Sequence, residues 1–340
     1  MKKFYSVFSL FLISLLFVLP FLSCHIKDAV SGGIRTCLSE LIPSLFPFLF
    51  LSSLTSYFAS PLMSHFLAPV LCPLLGITPP SIPAVISGIL GGFPSGAAES
   101  ARLYSERKIS KEEAERLPLF CNNAGLMFTV GTIGAGHFSS FKAGLILYFF
   151  HIFSSVICAV LTRDNKGKRV RYTKEPYSPV PLSRFPELFT KALKNSVCAM
   201  AMISGNFIVF SVFTSLLFLT FGKTPHVCFI AGLFEVTGGL LAMKENSAGL
   251  ILSAFLLSFN GFCVHMQSMS FFAPLKLSMK KCILGKIFCA FLSALLMYIS
   301  LPKNFMPKEG FPPMAFYVVT LLLPLVFFIP YIKKRASDRI

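Results

Sequence analysis

The chain alternates long apolar runs with short polar or basic connections, a pattern typical of proteins that cross a membrane repeatedly. A window of about 19 residues, close to the length of a membrane-spanning helix, marks a series of apolar segments. They lie near residues 4–23, 37–58, 62–77, 82–101, 118–137, 141–162, 195–220, 224–243, 247–272, 281–301 and 314–332. Several are short or interrupted, so we expect roughly nine to eleven membrane-embedded helical elements. The predicted fold class is an all-α polytopic membrane protein.

Two of these runs carry polar and glycine-rich interruptions. Residues 120–125 read Phe-Cys-Asn-Asn-Ala-Gly, and residues 258–267 read Ser-Phe-Asn-Gly-Phe-Cys-Val-His-Met-Gln. Lipid cannot hydrogen-bond a freed backbone group, so a broken helix persists at membrane depth only against protein or beside a cavity. Transporters build their solute sites from such broken or re-entrant helices. If 247–272 spans once, the lysines at 276, 280 and 281 and the basic C-terminal tail favour opposite topologies. A re-entrant hairpin over 247–272 would remove that conflict.

Similar landmarks recur in the same order in the two halves. Ile86-Ser87-Gly88-Ile89 matches Ile230-Ala231-Gly232-Leu233, and each precedes a stretch rich in small residues. Asn123 and Asn260 then occupy matching places in the two interruptions. The order predicts two pseudo-symmetric repeats. We therefore divide the chain into an N-terminal transmembrane anchor (1–30), a first repeat (31–162), a basic linker (163–190), a second repeat (191–301) and a C-terminal transmembrane helix with a basic tail (302–340).

Composition agrees with a membrane protein and excludes several other classes. The mean hydropathy is +0.73 and 13% of residues are charged, against roughly a quarter in soluble domains. The net charge of +17 comes from basic residues in loops, as positive-inside topology requires, so we expect no nucleic-acid partner and place 163–190 in the cytoplasm. The ten cysteines are scattered and the histidines lack ligand spacing, so no disulfide framework, metal or cofactor is expected. No nucleophile–base set appears, so we do not expect an enzyme.

The N-terminus imitates a lipoprotein signal peptide, with Lys2-Lys3, an apolar run and Cys24. The run is long enough to span, further spans follow, and Phe21 is a poor residue three positions before a lipidated cysteine. A retained signal anchor is the simpler interpretation.

Side chains at the interruptions are the candidate solute contacts. We assign this role to Ser95, Asn122, Asn123, Asn260 and Gln267, because amides and a hydroxyl can bind a polar solute where helices break. Their alternative role is hydrogen bonding between helices, which such residues often supply in membranes. The glycines expected to permit the breaks are Gly92, Gly96, Gly125, Gly238 and Gly261.

Glu235 and His265 are the candidate coupling or orienting groups. An ionisable side chain inside an apolar segment costs roughly 3 kcal/mol on insertion scales, so it normally faces a cavity or a partner. A structural hydrogen bond is the alternative for Glu235, and a satisfied buried histidine is the alternative for His265. Glu99 lies close to the charged segment 102–116, where a place at the membrane interface is expected.

Several of these motifs together resemble the YlbJ-type sporulation integral membrane proteins. In the first half they are Gly92-Phe93-Pro94-Ser95-Gly96-Ala97, residues 109–116, the interruption at 120–125 and residues 130–134; in the second half they are residues 232–239 and 258–267. The resemblance covers most of 31–301. That family lies within the wider Gate or nucleoside-recognition group, whose repeats are similar to the halves of concentrative nucleoside transporters.

The resemblance implies a role in sporulation, movement of dipicolinic acid, and a place in the mother-cell-derived membrane around the forespore of a bacterium. Our first hypothesis is therefore a transporter of a small polar, anionic solute, embedded in a lipid bilayer, with a homo-oligomer left open. Helix N-termini, the asparagine amides and Ser95 could receive carboxylates without a fixed cation. The alternative is a non-transporting membrane scaffold of a sporulation or envelope complex, which would depend on the loops 102–116 and 163–190.

Overall fold

The computed structural model describes residues 19–58, 60–163 and 180–301, besides positions 9, 10, 13, 14 and 17. These residues form helices joined by turns, and no strand occurs among them. The predicted all-α class is confirmed. The C-terminal helix predicted within 302–340, the basic stretch 164–179 and most of the first apolar run lie outside the described residues.

In the first half, a π-helical stretch, Cys37–Leu41, joins the first two helices, and a longer one, Met127–His137, precedes the last. Short 3-10 turns lie at Leu19–Leu22 and Pro79–Ser81. The α-helices are α1 (Ser23–Thr36), α2 (Ile42–Phe58), α3 (Ser60–Leu75), α4 (Ile82–Leu90), α5 (Ser95–Ser105), α6 (Lys111–Arg116), α7 (Pro118–Cys121) and α8 (Phe141–Leu161).

In the second half, 3-10 turns lie at Leu182–Arg184 and Ala273–Leu275. The helices are α9 (Phe185–Phe221), α10 (Pro225–Phe234), α11 (Val236–Leu241), α12 (Ser247–Phe259), α13 (Gly261–Phe272) and α14 (Lys280–Ser300).

Among the described residues, 4 helical segments are long and apolar enough to cross a membrane: Phe141–Leu161, Leu182–Phe221, Ser247–Leu275 and Lys280–Ser300. Two bent pairs raise the number to 6, one of them turning by 97° between Phe66–Leu75 and Pro79–Leu90. The hairpin considered over 247–272 is not formed. Ser247–Leu275 is one 29-residue candidate span, because Asn260 alone interrupts its helical run.

Two tight helical hairpins lie elsewhere in the chain. The first hairpin is α4 with α5, where the Ser95 hydroxyl donates to Ser87 O over 3.0 Å across the turn. The second hairpin is α10 with α11, where a Cβ on Gly239 would lie 2.1 Å from the Cα of Gly232. Such close backbone approach needs glycine, which explains the small residues that the sequence places on each side of both turns.

The buried core is divided into two apolar clusters that meet at the interruption in the first half. One cluster joins α3, the first hairpin, α7 and the start of α14, and it contains Cys121. The other joins the π-helix 127–137, α8, α11 and α12, and it contains Ala124. The polar residues 122 and 123 therefore lie between two apolar cores, and both are fully buried.

Candidate functional site

The first break (residues 122–125) separates α7 from the π-helix, and its backbone bonds to other protein groups. Asn122 leaves the helical conformation, with φ −96° and ψ 76°. The carbonyl of Asn123 accepts from Phe93 N at 2.6 Å, and Ala124 N donates to His151 Nε2 at 2.9 Å. These two backbone groups are thus satisfied by protein partners, as a position at membrane depth requires.

The first hairpin presses its turn against the first break. A Cβ on Gly92 would lie 2.5 Å from Gly125 N, and one on Gly125 would lie 2.9 Å from Gly91 O. A Cβ on Gly96 would lie 2.1 Å from Cys121 O. Three of the glycines predicted to permit the breaks therefore lie where only a hydrogen fits between two backbones.

The second break consists of Asn260 and Gly261, which have positive φ values of 77° and 72°. The second hairpin presses its turn against it, since a Cβ on Gly261 would lie 3.1 Å from Gly232 O and 3.4 Å from Val236 N. Each half of the chain thus pairs one helical hairpin with one helix break.

The two breaks contact each other directly. Asn260 Nδ2 donates to Asn122 O at 2.7 Å, and Asn122 Nδ2 donates to Ser268 Oγ on α13 at 2.9 Å. Asn122, Asn123 and Asn260 are all fully buried. The structure therefore brings together the three asparagines that the sequence selected. We call the region where the first break contacts the second break, with the side chains that bond to these asparagines and to the two breaks, the crossing.

His151 on α8 forms a second link between the breaks. Its Nε2 accepts from Ala124 N, and its Nδ1 lies 3.0 Å from Ser258 Oγ, two residues before Asn260. Because a backbone N–H can only donate, the hydrogen-bond pattern places the ring proton of a neutral His151 on Nδ1, where it donates to Ser258. The imidazole is fully buried.

Asn123 is held by three further contacts. Its Nδ2 donates to Phe120 O at 2.7 Å, which caps the end of α7. Its Oδ1 accepts from Ser155 Oγ at 2.9 Å and from Lys286 Nζ at 2.8 Å. Lys286 lies on α14 and is fully buried. The crossing therefore includes a fixed amino group, which the sequence reasoning did not anticipate.

Glu235 lies at the turn of the second hairpin, where it caps α11. Its Oε1 accepts from Thr237 N at 2.7 Å and its Oε2 from Gly238 N at 2.5 Å. The carboxylate satisfies orphan donors and lies at the positive end of the helix dipole. The alternative role given to it from the sequence, a structural hydrogen bond, is therefore present.

The remaining predicted side chains bond or pack against groups other than the three asparagines. The Ser95 hydroxyl is engaged within the first hairpin by Ser87 O and Gly92 O. Gln267 Nε2 points to Ile203 O on α9 at 3.5 Å, and His265 packs its ring against Phe259 with centroids 5.2 Å apart. Among the described residues, no hydrogen bond joins these three side chains to the asparagines.

A cavity of about 350 Å³ opens between α2, α5, α9 and α13, and Ser95, Glu99 and Arg102 contribute to its lining. Arg102 Nε donates to Glu99 Oε2 at 2.8 Å, and Ser56 also bonds this carboxylate. Glu99 is 7% exposed, so it lies in a buried ion pair with Arg102. Its expected place at the membrane interface stays a prediction.

Glu106 lies at the outer end of this charged group. Burial alone would raise the pKa of Glu106, but a hydrogen bond from Lys108 and the charge of Arg102 hold this pKa below its usual value.

Lys286, His151, Ser155, Ser258 and Ser268 belong to the crossing and were missed. A signal was available for the first two, because each is an ionisable residue well inside an apolar helix. His151 was considered only for metal-ligand spacing, and Lys286 was not singled out. The serines carry no such signal, since serine is common between membrane helices.

Comparison with known proteins gives one informative result. No family model and no solved structure matches the chain. The chain is 25% identical over 280 residues to the sporulation integral membrane protein YlbJ of Bacillus subtilis (strain 168). The matched region covers 71% of this chain and 69% of that protein. This match confirms the predicted resemblance to the YlbJ-type sporulation proteins.

The similarity to YlbJ supports a location within a membrane, together with the apolar helices described above. The chain is thus a homologue of an integral membrane sporulation protein. The YlbJ match assigns no role to individual residues, so the crossing rests on its geometry.

Proposed function

We propose that this protein is a transporter that carries a small polar, anionic solute across the membrane, with its site at the crossing. The observation that carries the proposal is the contact between the two breaks, Asn260 Nδ2 to Asn122 O at 2.7 Å, with a hairpin pressed against each break. Transporters with internal repeats place their solute between repeats, at interrupted helices near the membrane midplane. The paired hairpin and break in each half support the two-repeat organisation.

Two unsatisfied oxygens at the crossing support a polar ligand. Asn122 Nδ2 must be the donor to Ser268, whose own proton goes to Val264 O, and Asn260 Nδ2 must be the donor to a carbonyl. These bonds fix both amide orientations and leave Asn122 Oδ1 and Asn260 Oδ1 buried without a donor. A buried unsatisfied oxygen costs about 1–3 kcal/mol, so water or a solute group that donates a proton to these oxygens would be favoured. A carboxylate has no proton to donate, so the negative groups of the solute would contact other parts of the crossing.

The burial of the crossing fits a closed arrangement of a transport cycle. All three asparagines are shielded from solvent, while the contacts between the breaks are few and polar. Separation of the breaks would expose the amides and the amino group of Lys286 to a water-filled path. Irregular backbone is tolerated within a membrane where protein buries it or where it lines a water-filled cavity. The closed arrangement would meet the first condition and the open arrangement the second.

The resemblance to YlbJ-type proteins suggests the solute and the setting. We propose dipicolinic acid as the solute, a role in sporulation, and a location in the mother-cell-derived membrane around the forespore. The match to a sporulation protein supports the setting. The helix starts at the breaks support an anion, because helix N-termini attract negative charge.

Flux of labelled dipicolinate through proteoliposomes tests this function. The intact chain is compared with the Asn123→Ala/Asn260→Ala protein, and with Asn195→Ala, which removes an asparagine exposed on α9. We expect flux through the intact chain and the Asn195→Ala protein and none through the double variant. Flux retained in the double variant would contradict the assigned site, and absence of flux with every protein would favour the scaffold alternative or another solute.

A further inference from the structure

Lys286 is a fully buried lysine whose amino group has one hydrogen-bond partner among the described residues. Its Nζ donates to the neutral amide oxygen of Asn123 at 2.8 Å, and the residue is fully buried on α14. Within the described ranges, no carboxylate lies within ion-pair distance of it. A buried ammonium without a counter-charge is among the most costly arrangements in a protein, so a charged Lys286 would favour a negatively charged partner.

The carboxylates of the described membrane helices are already engaged elsewhere. Glu99 pairs with Arg102, and Glu235 caps α11 through two backbone N–H groups. In the described part of the chain, the groups near Lys286 include His151, His265 and the thiols of Cys121, Cys158, Cys282 and Cys289. Neutral imidazoles and thiols do not balance a positive charge.

We propose that Lys286 is the residue that recognises the solute's negative charge. This inference rests on the proposed function and names the chemistry of its site: the ammonium binds a carboxylate of the transported solute, and Asn123 Oδ1 holds the ammonium when no solute is bound. An ammonium has three donors and the structure shows one in use, so two remain for a carboxylate.

The position of Lys286 suits this role. Its partner Asn123 lies within the first break, next to Asn122, which contacts the second break. A carboxylate at this point would meet the amino group of the second half and the amides of the first. Binding of an anion would then replace a weak neutral contact with a charge-assisted one, at the place where the two halves must separate.

Lys286→Met tests the inference, because methionine keeps the length of the side chain and removes the charge. Lys281→Met is the matched control, since Lys281 is an exposed lysine on the same helix. Two labelled probes are used in proteoliposomes: dipicolinate and its uncharged analogue pyridine-2,6-dicarboxamide. We expect Lys286→Met to lower the ratio of dipicolinate flux to diamide flux at least about tenfold, because one hydrogen bond to a charged group is lost. Lys281→Met is expected to leave this ratio unchanged.

Thermal unfolding in detergent separates this role from a structural one. Without a solute, Lys286→Met is expected to unfold at the same or a higher temperature than the intact chain, because a buried unpaired charge has been removed. A clearly lower unfolding temperature, with both fluxes lost, would show that Lys286 is structural and overturn the inference. Saturating dipicolinate is expected to raise the unfolding temperature of the intact chain and of Lys281→Met, and not of Lys286→Met.

The outcomes separate failure of the role assigned to Lys286 from failure of the proposed transport function. Dipicolinate flux that persists in Lys286→Met overturns the inference and leaves the transporter intact. Dipicolinate that neither passes through nor stabilises the intact chain overturns both. Stabilisation by dipicolinate that depends on Lys286, without flux, upholds the anion site and contradicts transport.

Discussion

The side-chain amide of Asn260 donates to the backbone carbonyl of Asn122 across 2.7 Å, which joins two helix breaks that lie 138 residues apart in the chain. Each break is also covered by the turn of a helical hairpin from its own half. The contact is polar and buried between apolar surroundings, so we expect variants to separate its effect on folding from its effect on the proposed transport.

Asn260 has two separable functions, since its backbone is left-handed and its side chain donates to Asn122. Replacement by glycine keeps the backbone favourable and removes the donor, whereas alanine also opposes the left-handed conformation at a cost of roughly 1–2 kcal/mol. We expect Asn260→Ala to be less stable than Asn260→Gly by about 1 kcal/mol in thermal unfolding, and both to lose flux. Equal stability of the two variants, or flux in Asn260→Gly, would contradict this division.

Gly88 packs against the end of α7 with no room for a side chain. A Cβ there would lie 1.5 Å from Cys121 O, so Gly88→Ala must force the first hairpin away from the first break. We expect this variant to lose more than about 3 kcal/mol of stability and to insert poorly.

Gly205→Ala is the matched control for Gly88, because a Cβ at position 205 on α9 meets nothing within 4 Å. Helix propensity predicts that this change is neutral or stabilising by up to about 1 kcal/mol. The yield of folded protein and its unfolding temperature provide the measurement, and similar behaviour of the two variants would argue against close packing at Gly88.

Glu235 is expected to act mainly as a helix cap. Glu235→Ala leaves two buried N–H groups without an acceptor and should lower the free energy of unfolding by about 1–2 kcal/mol. Glu235→Asp should retain much of that stability, because aspartate is a favourable N-cap residue. Thermal unfolding checks both variants. If Glu235→Ala unfolds like the intact chain while the pH dependence of flux changes, the carboxylate serves in coupling and the capping account is wrong.

The ion pairs of Glu106 predict a pH effect on stability. Because the pKa of Glu106 is lowered in the folded chain, its contribution is present above the pKa that it has when unfolded and is lost as pH falls through the lower folded value. Glu106→Gln should therefore unfold at a lower temperature than the intact chain at pH 7, and the difference should shrink below about pH 4.5. A difference that stays constant between pH 7 and pH 4 would exclude this ionisation as its cause.

The sequence was sufficient to find the class of fold and the asparagines of the crossing. Asn122, Asn123 and Asn260 interrupt apolar helices, and at membrane depth such interruptions must be buried by protein, which is where the structure places them. The hairpins were not located correctly, because glycine-rich stretches at 91–96 and 235–239 look alike whether a helix bends or reverses. A hairpin differs from a bent helix by the close approach of its two arms, as between Gly232 and Gly239. That distance depends on the tertiary structure and is not visible in the sequence.

Lys286 and His151 could not be placed in the crossing from one sequence. Both are ionisable residues within apolar helices, which indicates a partner without naming it. Their partners, Asn123 and Ala124, lie on another part of the chain, and the pairing follows from how α8 and α14 pack against the first break. Ser95 and Gln267 had the right chemistry and lie near the breaks in sequence, but their side chains turn to other groups.

Thiol accessibility at the crossing tests the central claim most directly, because Cys121 and Cys263 are natural reporters beside the two breaks. The intact chain in proteoliposomes is labelled with a small water-soluble thiol reagent, with and without saturating dipicolinate, and each cysteine is read separately by mass spectrometry of its peptide. Cys72, buried in α3, and Cys198, exposed on α9, serve as controls. We predict that dipicolinate slows the labelling of Cys121 and Cys263 and leaves both controls unchanged. Equal labelling of Cys121 and Cys263 with and without dipicolinate would contradict a solute site at the crossing.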